Sequence, residues 1–407
     1  MKPLSKEFRL LLLLSRTEFT EGVEQSAQEI NADFDWTYLV QTAYLHGVSG
    51  LLCSGLLQLN KEIVPKEIIN AAHKHLVSQG ECNQALANQL TNILQALQSS
   101  GIPAIPFKGP TLADTAYGDL ALRSFRDLDF LIHPEDIKPC LEKLRELEYH
   151  QNVHLSPKQM DSFLHYSGQD ILYGEGVPIE PHWLFAPHTW ALNIDYAGLW
   201  TRAERRTFNN RKILSFSIED ELMILCIHGS KENWSKLKWV ADVAAFIDAS
   251  PDLEWFQLIE RSEQQGVGRM VRLGLSLARV MLNAQLPHQV ILWLEKDRVV
   301  NNICKYTMDT FFNVDNRSQS IYALSLYHWK MKERTIDRFR YLLRTITQPR
   351  EHHFLAIGLP DSFFFLYTPY KVLHDYLALP IWKLLKKRTP NRIKTENNDT
   401  ESTDATR

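Results

Sequence analysis

Seven residues, RDLDFLI from Arg126 to Ile132, constrain this chain more than any other stretch. They read as a strand buried on both faces, yet Asp127 and Asp129 sit among them. In extended backbone, side chains two residues apart share a face. Asp127 and Asp129 therefore project together with Phe125 and Leu131, while Arg126, Leu128, Phe130 and Ile132 line the other side. Two carboxylates about 4 Å apart repel by roughly 4 kcal/mol at an effective dielectric of 20. A core strand relieves that with a proton, an arginine or a metal. Hard oxygen pairs suit Mg²⁺, which keeps several waters and shares substrate phosphates. A D-x-D pair alone is equally compatible with acids set at a strand end for solubility.

The surroundings favour the cation. HYSGQDILYGEGVPIEPHWLF reads as a hairpin with YGEG as its turn. Its second strand carries Glu180, with His182 on the same face two residues on. If that strand lies beside the D-x-D strand, Glu180 sits roughly 5 Å from one aspartate. Three carboxylates on one sheet face are what a two-metal phosphoryl-transfer site needs. Upstream, IPAIPF is short and apolar, and KGPTLADTAYGD reads as a turn and a helix. Gly109 followed by Pro110 suits the helix start, where the missing proline N–H costs nothing.

Around this unit the chain is helical in pattern, which predicts an α+β protein: a small mixed-sheet core flanked by N- and C-terminal helical regions. The expected divisions are an N-terminal helical region (1–98), the α/β core (99–217), a helical domain (218–350), an aromatic amphipathic segment (351–387) and a disordered tail (388–407). The leucine run near the N-terminus is too short for a membrane span and no small-residue cleavage site follows, so it reads as a first helix. The segment DSFFFLYTPYKVLHDYLALPIWKLLKKR lacks eighteen uninterrupted apolar residues. It reads as a helix packed on the helical domain or as a peripheral membrane contact.

A formal net charge of −3 over 407 residues offers no global basic field, so no nucleic acid is expected as a partner. The five cysteines are far apart and form no C-x-x-C. That argues against a zinc site or a disulfide framework and points to the cytoplasm.

The ordered set PFKGPTLADTAYGD, RSFRDLDFLIHP and IEPHW resembles an uncharacterised bacterial nucleotidyltransferase family, within the superfamily that includes DNA polymerase beta. The likeness extends from WTYLVQTAYLHGVSGLL to LCIHGSKENWSKLKWVADVAAFI, roughly residues 30 to 250. It implies a minimal mixed sheet and transfer of a nucleoside monophosphate from a nucleoside triphosphate to an acceptor hydroxyl on a small molecule, glycan or protein. Relatives of this type suggest polysaccharide biosynthesis or secondary metabolism for the acceptor. By position, Asp127 and Asp129 would hold Mg²⁺, and Glu180 would complete the second metal site or act as general base. Gly109 would let the helix start approach the triphosphate, and Lys108 would add a point charge toward a phosphate. The wider superfamily has Gly-Ser at this turn; here, as in the closer family, it is Lys-Gly followed by Pro110.

Other residues extend the expected site. Arg123 precedes the strand and either reaches a phosphate or balances Asp119 or Asp127. His182 partners Glu180 or is a hydrogen-bonded core histidine. His228 and Lys231 share one helix face, as do Lys238 and Asp242. The functional reading has His228 and Lys231 closing the nucleotide cleft, with Asp242 orienting one of them; the plainer one is a solvated helix face with Trp234 and Trp239 in packing. Two other functions fit the same residues: a catalytically inactive nucleotide-binding or scaffold protein, and an antitoxin-like partner of another protein.

Overall fold

The computed structural model describes residues 4–18, 26, 29–60, 62–311 and 321–379. Among the helices that precede the sheet are Lys6–Leu14, Trp36–His46, Ser49–Gln58 and the long Lys66–Ser99. Ser5 accepts the Phe8 N–H and Asp35 accepts the Tyr38 N–H at the first two starts, as short oxygen-bearing side chains do. The long helix ends at Ser99, and Gly101, at φ 75°, turns the chain into the first strand.

Five strands form one mixed sheet: β1 (Ala104–Phe107), β2 (Leu128–Ile132), β3 (His150–Gln151), β4 (Leu172–Tyr173) and β5 (Ile179–His182), in spatial order β1-β2-β5-β4-β3. β1 runs antiparallel to β2, and β5 runs parallel to it. The predicted hairpin is present as β4 and β5, paired through Leu172 and Ile179. A second sheet, β6 (Glu204–Phe208) with β7 (Arg211–Ser215), is a hairpin the sequence reading did not anticipate. Its turn is Asn209-Asn210, both at positive φ, which is the usual chemistry of a two-residue hairpin loop.

All five residues of β2 are buried. Leu128, Phe130 and Ile132 face Leu90, Leu94 and Leu97 of the long helix and Leu141 and Leu144 of the helix Ile137–Glu146. Leu131, with Ile105 and Phe107 of β1, belongs to the other core, which takes in the helices Ile218–Lys231, Leu237–Asp248 and Gly268–Leu282. The sheet thus separates two apolar cores, and the acidic side of β2 faces the helical one. Burying a side chain such as Phe130 contributes about 1.5–3 kcal/mol, so both faces anchor the strand.

The described helices run from Ile218 to Phe311 and from Ile321 to Thr347, as expected from periodicity. The aromatic segment is described to residue 379, and short helices occupy Glu351–Ala356, Asp361–Leu366 and Tyr367–Leu373. Part of it docks on the sheet domain: buried Tyr367 accepts a hydrogen bond from Gln159 at 2.8 Å. Residues 380–387 and the tail expected over 388–407 lie outside the described residues. All five cysteines are free thiols. No described helix is long and apolar enough to cross a membrane.

Candidate active site

The register of β2 and β5 sets the site. Asp129 is paired with Glu180, and Leu131 with His182, so all three polar side chains rise from one face. His182 Nε2 lies 2.8 Å from Asp129 Oδ1 and 3.7 Å from Glu180 Oε2. Gln169, whose backbone bridges to His182, donates to Glu180 Oε2 at 2.6 Å. Each of Asp129, Glu180 and His182 offers one ligand atom, and these atoms lie within 4.8 Å of one another. Asp127, one residue before β2 and half-buried, stands outside that tight group. It still feels the group: burial, then the charges of Asp129 and Glu180, push its carboxyl upward, against the pull of Lys108 and Lys238.

Lys108 enters from the end of β1 on an unusual backbone. Its φ and ψ are 55° and −142°, and Gly109 follows at φ 41°. A lysine held there costs on the order of 1–3 kcal/mol, which the surrounding contacts must offset. The turn folds the side chain back over the sheet, so that Nζ is 3.1 Å from Asp129 Oδ1 and 4.8 Å from the Phe107 ring centre. Burial alone would raise the Asp129 pKa; Lys108, and after it His182, override burial and hold the carboxyl far below the usual range. Asp129 is therefore charged and already paired. The helix after Gly109 is only four residues, Gly109–Leu112, before the chain widens through Ala113–Tyr117. The expected helical cradle for a triphosphate is thus a single turn, too short to sum backbone dipoles. Gly109 does lie against the chain entering β2: a Cβ there would stand 3.6 Å from the Asp127 carbonyl oxygen.

Arg123 and Asp242 are placed differently from the sequence expectation. Arg123 is buried and grips Asp242 in a two-pronged pair, Nε–Oδ1 2.7 Å and Nη2–Oδ2 2.9 Å. Tyr117 donates to Asp242 Oδ1 at 2.7 Å, and Arg123 Nη1 donates to the Gly109 carbonyl at 3.4 Å. Asp242 hence orients neither His228 nor Lys231; its carboxylate is fully engaged by Arg123 and Tyr117. A planar guanidinium matched to a carboxylate has little reason to swing toward a phosphate. The pair instead ties the Lys-Gly turn to the helix Leu237–Asp248.

The helical side supplies positive charge. Burial, then Lys108 and Lys231, push the His228 imidazole well below its ordinary pKa, with Asp129 opposing. Lys231 is lowered by burial and by Lys108, and raised by Glu232, Asp129 and Glu180. Lys238 is lowered by burial and Arg123, and raised by Asp242 and Asp127. Burial is the main cause in all three, and neighbouring positive charge adds to it; a polyanion would relieve the second part. Lys238 and Gln169 were not picked out as site residues from sequence. For Lys238 the signal was its pairing distance to Asp242; for Gln169 there was none.

The donor set fits a divalent cation: ligand atoms of Asp129, Glu180 and His182 converge, two of the three being carboxylate oxygens. A second group, His352, His353 and Asp375, is equally close-set. There Asp375 already accepts from Lys371 at 3.0 Å and His374 at 2.9 Å, and His353 Nδ1 takes the Arg350 N–H. Asp375 is thus paired with cations much as Asp129 is, but this group offers a single carboxylate where the first offers two, a poorer match to a hard divalent ion.

Two solved structures are similar to part of the chain. One is the antibiotic-resistance factor ANT(2'')-Ia, at 10% identity and a TM-score of 0.32, over 45% of this chain and 92% of that one. The other is an antigenic nucleotidyltransferase-like protein from Paracoccidioides brasiliensis, at 16% identity and a TM-score of 0.33, over 51% of this chain and 96% of that one. Scores this low carry no argument about function. No curated protein matches the chain. One family profile does, described as an uncharacterised nucleotidyltransferase, over residues 32–283. That span exceeds half the chain and holds every residue of the site just described, and so the protein belongs to this uncharacterised nucleotidyltransferase family.

Proposed function

We infer that the chain moves a nucleoside monophosphate from a nucleoside triphosphate to an acceptor hydroxyl, with Mg²⁺ held by Asp129 and Glu180 and within reach of Asp127. The observation that carries this is the parallel register of β2 and β5, which sets Glu180 opposite Asp129, with Lys108 3.1 Å from the latter. Bound there, Mg²⁺ would supply Lewis-acid stabilisation to the phosphate oxygens.

The chain's own residues have definable tasks. Lys108 holds the Asp129 charge while no nucleotide is present and turns to a phosphate oxygen when one arrives. Lys231 and His228 receive the remaining phosphate charge, which raises their pKa values toward the ordinary range. Gln169 fixes one oxygen of Glu180, leaving the other to take the proton of the acceptor hydroxyl. The acceptor oxygen bonds to the α-phosphorus, the bond to the β-phosphate bridging oxygen breaks, and pyrophosphate leaves with that electron pair. Rate enhancement comes from alignment and charge neutralisation.

Incubation with each nucleoside triphosphate and Mg²⁺, read by pyrophosphate release, tests the proposal. Release by wild type and its loss in Asp127→Asn/Asp129→Asn supports it. Nucleotide binding without release under any acceptor mixture would instead assign the non-catalytic nucleotide-binding role. Equal behaviour of wild type and the double variant in both release and binding removes the metal site.

A further inference from the structure

Lys238 and Asp242 stand four residues apart on the helix Leu237–Asp248, the spacing at which a lysine and an aspartate pair. They do not pair. Asp242 is already engaged, Oδ1 by Arg123 and Tyr117, each at 2.7 Å, and Oδ2 by Arg123 at 2.9 Å. Asp127 is the other carboxylate whose charge reaches Lys238. Among the described residues, neither Lys238 nor Asp127 has a hydrogen bond or an ion pair, and both are half-buried. A charge partly withdrawn from water and left unpaired is costly. An ammonium and a carboxylate that feel each other without touching leave room for a ligand of both signs, a cation on the carboxylate and an anion on the ammonium.

The lysine is held from the N-terminal helices. Gly47 ends Trp36–His46 at φ 70°, and a Cβ there would stand 2.9 Å from Lys238 Cδ and 3.5 Å from its Cβ and Cγ. A side chain at position 47 would therefore displace the lysine stem. Beside it, His46 Nδ1 accepts the Leu237 N–H at 3.2 Å and fixes the helix start that carries Lys238.

Sheet order tells which end of the reaction this cation serves. β2 lies between β1 and β5, so Glu180 is on one flank of the aspartates and the Lys-Gly turn, which follows β1, is on the other. Lys238 belongs to the flank of the turn. It feels Arg123, whose guanidinium donates to the Gly109 carbonyl, whereas Lys231 feels Asp129 and Glu180. An acceptor hydroxyl that gives its proton to Glu180 approaches from the β5 flank. In-line displacement then sends the leaving group out over β1.

We propose that Lys238, set in place by Gly47, takes the charge of the departing pyrophosphate, a role that rests on the nucleotidyl-transfer reading above. Titration calorimetry with Mg²⁺ and each nucleoside triphosphate, and with the matching monophosphates, tests it. Lys238→Met keeps the stem and loses the charge. Its triphosphate affinity falls about ten- to a hundredfold, while monophosphate affinity and melting temperature stay as in wild type. Lys238→Arg recovers most of the loss. Gly47→Ala weakens triphosphate binding in the same sense, and adding it to Lys238→Met brings no further loss; additive losses would overturn the positioning role of Gly47. Undiminished triphosphate binding by Lys238→Met overturns the proposal and leaves the nucleotidyl-transfer reading standing. An equal fall in monophosphate affinity also overturns it, moving the lysine away from the leaving group. Wild type that binds no triphosphate overturns both.

Discussion

Lys108→Met removes an ammonium 3.1 Å from Asp129 Oδ1. At an effective dielectric of 20, charges at that distance attract by about 5 kcal/mol. Rehydration of the freed ammonium returns most of this, leaving about 1.5–3 kcal/mol for a hydrogen bond between charged groups. A divalent ion reaching Asp129 in the wild type forfeits that pairing; in the variant only the His182 contact, common to both proteins, is left to displace. At 1.4 kcal/mol per tenfold, Mn²⁺ alone should bind Lys108→Met about 10–100-fold more tightly than wild type. The free-Mn²⁺ signal in electron paramagnetic resonance titrations measures this without turnover. Lys108→Gly serves as a second variant, since glycine adopts a φ of 55° without strain. Nucleotide affinity should move the opposite way, because the same substitution deletes a phosphate contact. Equal or weaker Mn²⁺ binding in both variants would refute the idea that lysine and metal compete. An Asp129→Asn control that still binds Mn²⁺ as wild type does would move the metal elsewhere.

Glu180→Gln keeps its partner Gln169 but cannot take a proton; pyrophosphate release should fall about 100-fold or more, and a wild-type rate would remove Glu180 from the chemistry. Arg123→Ala leaves Asp242 buried and short of its main partner, so chemical denaturation should show a loss of about 3–5 kcal/mol, much of it recovered in an Arg123→Met/Asp242→Leu pair. Wild-type stability of Arg123→Ala would contradict the clamp. Lys332 is buried over the Trp190 ring at 4.7 Å, and burial pushes its pKa from 10.5 down to about 7. Because the folded state binds this proton less readily, stability rises as pH climbs from 7 toward 10.5. Lys332→Met should therefore stabilise by about 4 kcal/mol at pH 7 and about 2 kcal/mol at pH 9, and a gain that does not change with pH would refute the assignment.

The sequence made the D-x-D strand and its acidic neighbour legible because alternation is a local property and hairpin turns announce themselves. Pairing of Glu180 with Asp129 followed once the hairpin was placed beside β2. Lys108 was foreseen as a charge but not as a partner of Asp129, since nothing in KG reveals a lysine at φ 55° folding back over the sheet. The Arg123–Asp242 pair joins residues 119 positions apart, and helical spacing instead suggested local partners for Asp242. Asp127 shares a face with Asp129 by parity, yet the strand begins only at Leu128, which lets its carboxylate stand apart from the tight group. The β6–β7 hairpin was missed although Asn-Asn between two runs was a usable signal.

The two cores on either side of β2 tie the carboxylates to a helix that ends before the sheet begins. Asn83, fully buried in Lys66–Ser99, donates to the carbonyls of Leu120 and Arg123 at 2.6 and 2.9 Å, so the approach to the acidic strand is fastened from upstream. Leu90, Leu94 and Leu97 then back the reverse side of that strand. A trimmed catalytic fragment starting near residue 100 would lose both the fastening and the backing, exposing Leu128 and Phe130 to water. In this protein the minimal working unit is larger than the sheet that bears its acids.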